Sequence, residues 1–414
     1  MLGLMQWFVI VSLPITGLCY ALLGSIKLPL ARRVGLDEAR IGGLIAAFGL
    51  MVGPIMLLCG ALADAYGRKP VWLVGSLLVA ASLAIFAGAR RYGAIVTATV
   101  LLAAGWTAMI NVANPVMATA FPDPFTGSNL GDALFGVGTF LCPVLITFLQ
   151  ARLGFGAGVA TIAALALLPF GLALGLDLGG GELQGDLAAA FGGFGTLVTD
   201  GRVWLLGAML LCWVVIESGT AGWASTLVMK AAPAGEPAEK SERIAAGTLS
   251  AFWMCFMATR LATACAIYWS GLAGEQLVRA TRTMQLAIAV LTVVTMLALV
   301  AFRGRRAVVA AVVFGGLICG PFFPNLLGQL FTHLESSGRM DYAGRAVAMI
   351  FACASVGWAI LPTAMGFVAD RSGLRRAFLL PAACGLVLVA LLLAASVGAA
   401  PAAAPVGGVP AAAP

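Results

Sequence analysis

GALADAYGRKP, residues 60–70, is the stretch on which the fold turns. It is a short polar interruption between two apolar runs, 41–63 and 70–89. Each run is about as long as the 20 or so residues a helix needs to cross a bilayer. Gly60 lets two helices approach closely, and Asp64 can face the positive end of a neighbouring helix dipole. Beyond Gly67, Arg68 and Lys69 can pair with acids or with lipid headgroups.

The rest of the chain repeats that alternation. Of its 414 residues 61% are hydrophobic and only 10% are charged, whereas soluble domains carry about a quarter charged residues. No soluble core could hide so much apolar surface, and disordered chains have the opposite composition. Apolar windows separated by charged or Gly/Pro-rich breaks predict twelve spans, near 5–30, 41–63, 70–89, 93–121, 128–150, 155–176, 203–230, 246–271, 283–302, 306–332, 344–369 and 377–398. The longest break, LGGGELQGDLAAAFGGFGTLVTDGR (178–202), divides them six and six. The expected organisation is a six-helix bundle over 1–177, a linker over 178–202, a second bundle over 203–398 and a disordered Ala/Pro/Gly tail over 399–414. The start has no basic n-region and runs into a full span, so no cleavable signal is expected.

The halves look like repeats. Pro143, Phe148, Arg152 and Gly154 recur as Pro362, Phe367, Arg371 and Gly373, and Val137 and Gly138 recur as Val356 and Gly357, all 219 residues on. The nine cysteines form no CxxC pair and read as small buried hydrophobes, and His333 is the sole histidine. No P-loop, HExxH or nucleophile elbow is present, so neither a cofactor nor an enzyme is expected. The formal net charge of +7 belongs to loops and suits lipid headgroups better than nucleic acid.

Following the second of twelve spans, G-x-L-A-D-x-x-G-R-K resembles the loop signature of the major facilitator superfamily. Within it, VANPVMATAFPD (112–123), NLGDALFGVGTFLCP (129–143), CWVVIESGTAGW (212–223), FFPNLLGQL (322–330) and GWAILPTAMGFVADRSG (357–373) are similar to fucose-type sugar:proton symporters. The resemblance implies an all-α fold of two pseudo-symmetric six-helix bundles. Gly60, Asp64, Gly67, Arg68 and Lys69 would then form a gate latch that touches no substrate. Two departures stand out: Ser25 occupies the place of an acid near the end of span one, and Ile110 or Asn111 that of an acid in span four. Proton coupling would need other carboxylates.

Four ionisable residues lie inside apolar runs: Lys27, Asp132, Glu217 and Arg260. An unpaired charge at mid-bilayer costs about 2.5–3.5 kcal/mol on insertion scales, so such groups face a cavity or one another. They read either as fixed salt bridges or as substrate and proton sites, with Lys27 close enough to a helix end to snorkel. Asn111, Asn114, Asn129 and Asn325 offer donors and acceptors to a polyhydroxylated ligand, or bond helix to helix. Trp223 and Trp253 can stack on a sugar ring or serve as packing.

The expected function is a monomeric secondary transporter in the bacterial cytoplasmic membrane that moves a small polar solute, a sugar by the resemblance, with protons. Its partners are then that small-molecule substrate, protons and membrane lipids. The alternative is proton-antiport export of drugs or amphipathic metabolites. TFLCPVLITF (139–148) lacks the glycine pair that such exporters carry in span five. A sensor or embedded enzyme on the same scaffold is a third class, with no motif behind it. Orientation is contested. The resemblance puts the 60–70 loop in the cytoplasm, yet loops on that side hold seven Lys/Arg against fifteen on the other (32, 33, 40, 90, 91, 152, 230, 240, 243, 303, 305, 306, 371, 375 and 376).

Overall fold

The computed structural model describes residues 2–36, 38–181 and 185–397, so the 399–414 tail lies outside the described residues. Among the described residues, twelve stretches are long and apolar enough to cross a membrane. The first half contains α1 (Leu4–Val34), α2 (Glu38–Tyr66), α3 (Arg68–Gly88), α4 (Tyr92–Ala120) and α5 (Pro124–Leu153), then a sixth crossing made of α6 (Phe155–Leu165) and α7 (Leu168–Leu174). Two short helices, α8 (Leu187–Gly192) and α9 (Phe194–Val198), lie in the central break, which the sequence presents as plain loop. The second half contains α10 (Gly201–Lys230), α11 (Ala238–Ser270) and α12 (Gly274–Ala301). Its tenth crossing is α13 (Arg305–Cys319) with α14 (Phe322–Ser336), followed by α15 (Ala343–Ser372), α16 (Leu374–Ala377) and α17 (Leu379–Val397).

Helix ends follow local chemistry that hydropathy does not register. α5 starts at 124, before the expected 128, because Asp123 caps it: its carboxylate accepts from the Thr126 N–H at 2.8 Å and hydroxyl at 2.6 Å. α12 starts well before 283 because its first turn carries the exposed Glu275–Arg279 pair, 3.2 Å apart. The tenth crossing breaks at Gly320–Pro321. Pro321 lacks an N–H for the carbonyl four residues back, and Pro324 lacks one for Gly320.

In lipid there is little hydrophobic drive between helices, so close backbone approach and buried polar contacts hold the bundle. A Cβ on Gly60 would sit 2.6 Å from the Gly344 carbonyl oxygen, which brings α2 against α15 across the two halves. Gly138 and Gly357 do the equivalent job within each half. A Cβ on Gly138 would collide with the Pro14 carbonyl of α1, and one on Gly357 would lie 3.2 Å from the Leu211 carbonyl of α10. The repeated residues thus occupy equivalent positions. Gly154 (φ 81°) and Gly373 (φ 89°) both end a helix in the left-handed region, each donating its N–H to the carbonyl four residues back at 2.9 Å.

Candidate functional site

The expected latch, residues 60–70, lies where one end of the first half meets the second. Asp64, buried at the end of α2, accepts from the Gly344 N–H at 3.0 Å, the Arg345 N–H at 3.0 Å and Arg345 Nε at 2.7 Å. Its carboxylate sits on the N-terminus of α15, where the orphan N–H groups and the dipole favour an anion. Arg345 is anchored further: Nη1 donates to Ala190 of α8 and Nη2 to Asp341, each at 3.1 Å, and its guanidinium lies 4.1 Å from the Tyr342 ring centroid. The central segment wraps the turn. The Arg68 N–H donates to Gly179 (2.9 Å), Arg68 Nη1 to Leu178 (3.4 Å) and Lys69 Nζ to Leu174 (2.7 Å), while the Gly185 N–H donates to Ala65 (2.8 Å). Gly67 turns the chain at φ 97°.

Above the latch a cavity of about 880 Å³ lies between the halves. The first half contributes Tyr20 and Ser25 (α1), Trp106 and Asn114 (α4), and Asp132, Phe135 and Thr139 (α5). The second contributes Trp213 and Glu217 (α10), Trp253, Phe256 and Arg260 (α11), and Phe351 and Trp358 (α15).

Arg260 is held at the broken crossing. Its Nε donates at 2.9 Å to Gly320, the carbonyl that Pro324 leaves without a helical donor. Nη1 reaches the Asp132 backbone carbonyl of the opposite half at 3.4 Å, and the guanidinium stacks 4.3 Å from the Phe256 ring centroid. The cation interacts electrostatically with both carboxylates, Asp132 of the first half and Glu217 of the second. Oδ2 of Asp132, a residue 8% exposed, has no hydrogen-bond partner.

The walls are aromatic. Tyr20 stacks on Trp106 at 4.6 Å, with Phe135 at 5.8 Å from Tyr20, and Trp253 meets Phe256 edge-on at 5.3 Å. Of the residues singled out in the sequence, Asp132, Glu217, Arg260, Asn114 and Trp253 line the cavity. Asn114 Nδ2 donates to Ile110 at 2.7 Å.

Four of the others are elsewhere. Asn111 Nδ2 donates to Gly344 at 3.0 Å, beside the latch. Asn129 Nδ2 donates to Asn325 Oδ1 at 2.8 Å, a buried amide pair joining α5 to α14. Trp223 is half-buried against Gly366. The Lys27 side chain lies outside the described residues, although its backbone belongs to α1. Hydrogen bonds between the two halves run through Asp64, Asn111, Asn129 and Arg260. Those of Asp64 and Asn111 lie at the N-terminus of α15, and that of Arg260 lies in the cavity lining.

The Tyr20, Trp106 and Phe135 wall was not legible in the sequence. Each residue sits in a separate apolar run, with nothing to mark it from a packing aromatic.

The Major Facilitator Superfamily model matches residues 8–340. The chain belongs to the major facilitator superfamily. It is therefore an integral, multi-pass membrane transporter of a non-enzymatic class. Among solved structures, the fucose:proton symporter FucP of E. coli superposes with TM-score 0.73 at 17% identity, over 93% of this chain and 97% of that one. FucP in the outward conformation gives 0.74 at 18% identity, over 93% and 97%. The human organic anion transporter MFSD10 gives 0.70 at 18%, over 93% and 98%. At these identities the likeness shows the shared fold, not a shared substrate. No curated protein matches the sequence. In this member of the superfamily Ser25, where the sugar symporters are expected to carry an acid, is a cavity residue whose hydroxyl donates to Ala21 at 2.9 Å.

Proposed function

We propose that this transporter moves a small polyhydroxylated, sugar-like solute together with a proton. Asp132 and Glu217 would share the proton-carrying role that the acids missing from spans one and four would otherwise fill. The observation that carries the reading is the charge set of the cavity: one carboxylate from each half around a single guanidinium. One acid is balanced by Arg260 and the other is left to a proton, and a net charge at membrane depth is strongly disfavoured. Aromatic faces beside a few hydrogen-bonding groups suit a sugar ring, which has apolar faces and a polar edge. The halves 1–177 and 203–398 rock about this site as units, joined by 178–202. The transporter acts as a monomer in a bacterial cytoplasmic membrane.

The apolar part of the lining, with Leu13, Ile110, Met117, Phe140 and Val144, favours a second reading: antiport of an amphipathic metabolite or drug. Proteoliposomes with an imposed proton gradient separate the two. Under the first reading, labelled monosaccharides accumulate down the proton gradient. D132N and E217Q each abolish accumulation but keep exchange of labelled for unlabelled sugar. Accumulation that survives in the double variant overturns the proton assignment. Gradient-driven movement of an amphipathic dye in the opposite sense, with no sugar flux, overturns the substrate class.

A further inference from the structure

Cavity and latch do not account for the 219-residue repeat F-x-x-x-R-x-G, Phe148–Arg152–Gly154 and Phe367–Arg371–Gly373. Both copies close a helix at the end of the molecule opposite the latch. In both, the glycine takes the same left-handed conformation, which leaves the arginine in the last helical turn. In both, the phenylalanine is exposed, 56% and 54%, near other exposed apolar side chains such as Leu141 and Leu153. The guanidinium lies over that ring, 5.6 Å from the Phe148 centroid and 3.7 Å from that of Phe367. Neither arginine has an acid or a hydrogen-bond partner among the described residues, and Asp370, next to Arg371 in sequence, is not paired with it.

We infer that these two corners are symmetry-related seats for the headgroups of anionic phospholipids, one on each half. Stacking uses the face of the guanidinium and leaves its in-plane N–H donors free, and that fork matches the oxygens of a phosphodiester. The exposed phenyl ring faces the acyl chains just below, so cation and apolar surface are in the order a lipid presents them. Exposed Arg303, Arg306 and Arg376 enrich the same end in positive charge around the second seat, and each basic residue near a charged surface adds attraction.

Native mass spectrometry of the full chain in detergent, supplemented with phosphatidylglycerol or phosphatidylcholine, tests this. Up to two phosphatidylglycerol adducts are expected, and fewer of phosphatidylcholine. R152Q/R371Q is expected to weaken each site about fivefold. R90Q/R91Q, which removes the same charge from the same end but from neither seat, is expected to leave the adducts unchanged. R152K/R371K keeps charge and fold but loses the fork, and is expected to lose most of the adduct. Unchanged adducts in R152Q/R371Q, equal loss in R90Q/R91Q, or full retention in the lysine pair overturns the inference. Displacement of the adducts by millimolar inorganic phosphate would overturn the lipid assignment as well.

Discussion

A single side chain, Arg260, ties together three features that are far apart in sequence. It fills the carbonyl orphaned by Pro324, reaches across to the Asp132 backbone and supplies the cation between two acids. Its substitutions should therefore separate in magnitude. R260K keeps the charge but not the planar reach to Gly320, and leaving that buried carbonyl unsatisfied costs about 1–3 kcal/mol. R260A also removes the cation that interacts with the two carboxylates, so its loss is expected to exceed that of R260K. Thermal melting in detergent is expected to rank wild type above R260K above R260A. Equal melting of the two variants would place the role in packing alone. The asparagines show the limit of reading residues singly. Only Asn325 follows a break, the other three lie inside the continuous helices α4 and α5, and only Asn114 faces the cavity, while Asn111 and the Asn129–Asn325 pair bond helix to helix. An amide's chemistry is the same in both settings, and only the neighbouring helix distinguishes them.

At the scale of elements, the α2–α15 crossing depends on Gly60 and Asp64 together. G60V would thrust two methyl groups at the Gly344 backbone and is expected to force the latch end apart. D64A would leave Arg345 buried without its carboxylate, at a cost of about 3 kcal/mol to the closed state. Both should raise the alkylation rate of a cysteine introduced at position 60-loop residue Tyr66 or at Arg339, and an unchanged rate would argue against a latch. The N-terminus of α10 carries a pH-dependent contact. Asp200 caps that helix through the Arg202 N–H at 2.9 Å, accepts from His333 Nε2 at 2.9 Å when that nitrogen carries a proton, and pairs with Arg339. Burial alone would raise its carboxyl, but His333 and Arg339 outweigh it and hold it at about 2, below the ordinary 3.8. A depressed carboxyl contributes stability above its unfolded value and loses it as pH falls through the folded one. The difference in denaturant stability between wild type and D200A is expected to be constant above about pH 5 and to shrink as pH falls from 3.8 toward 2. A difference that persists unchanged at pH 2 would leave only the neutral part of the cap.

At the scale of the whole molecule, the two ends differ. One is closed by the latch and wrapped by the central segment, and the other carries most of the loop arginines and both Phe–Arg corners. The family resemblance of the 60–70 loop implies a cytoplasmic closed end, whereas the loop charge count favours the reverse. Impermeant maleimide on intact cells is expected to label a cysteine at Arg91 and spare one at Tyr66. The opposite pattern would show that charge, not motif, sets the topology here.

The amino-acid sequence by itself determined the solvent, the number of crossings, the two-fold repeat and the superfamily. Apolar length and a helix-end signature are local properties that any twelve-span arrangement must respect. The break at Gly320–Pro321, inside the expected span 306–332, also has a local cause in a missing N–H. Tertiary structure alone decided which polar groups meet: that Asp132, Glu217 and Arg260 share one cavity, that Tyr20, Trp106 and Phe135 wall it, and that α8 and α9 brace the latch. The reason is physical. In a lipid-embedded bundle nearly every helix is apolar all round, so hydrophobic periodicity does not say which face turns inward. That choice is made by close glycine contacts and a few buried hydrogen bonds, whose partners lie one or two hundred residues away.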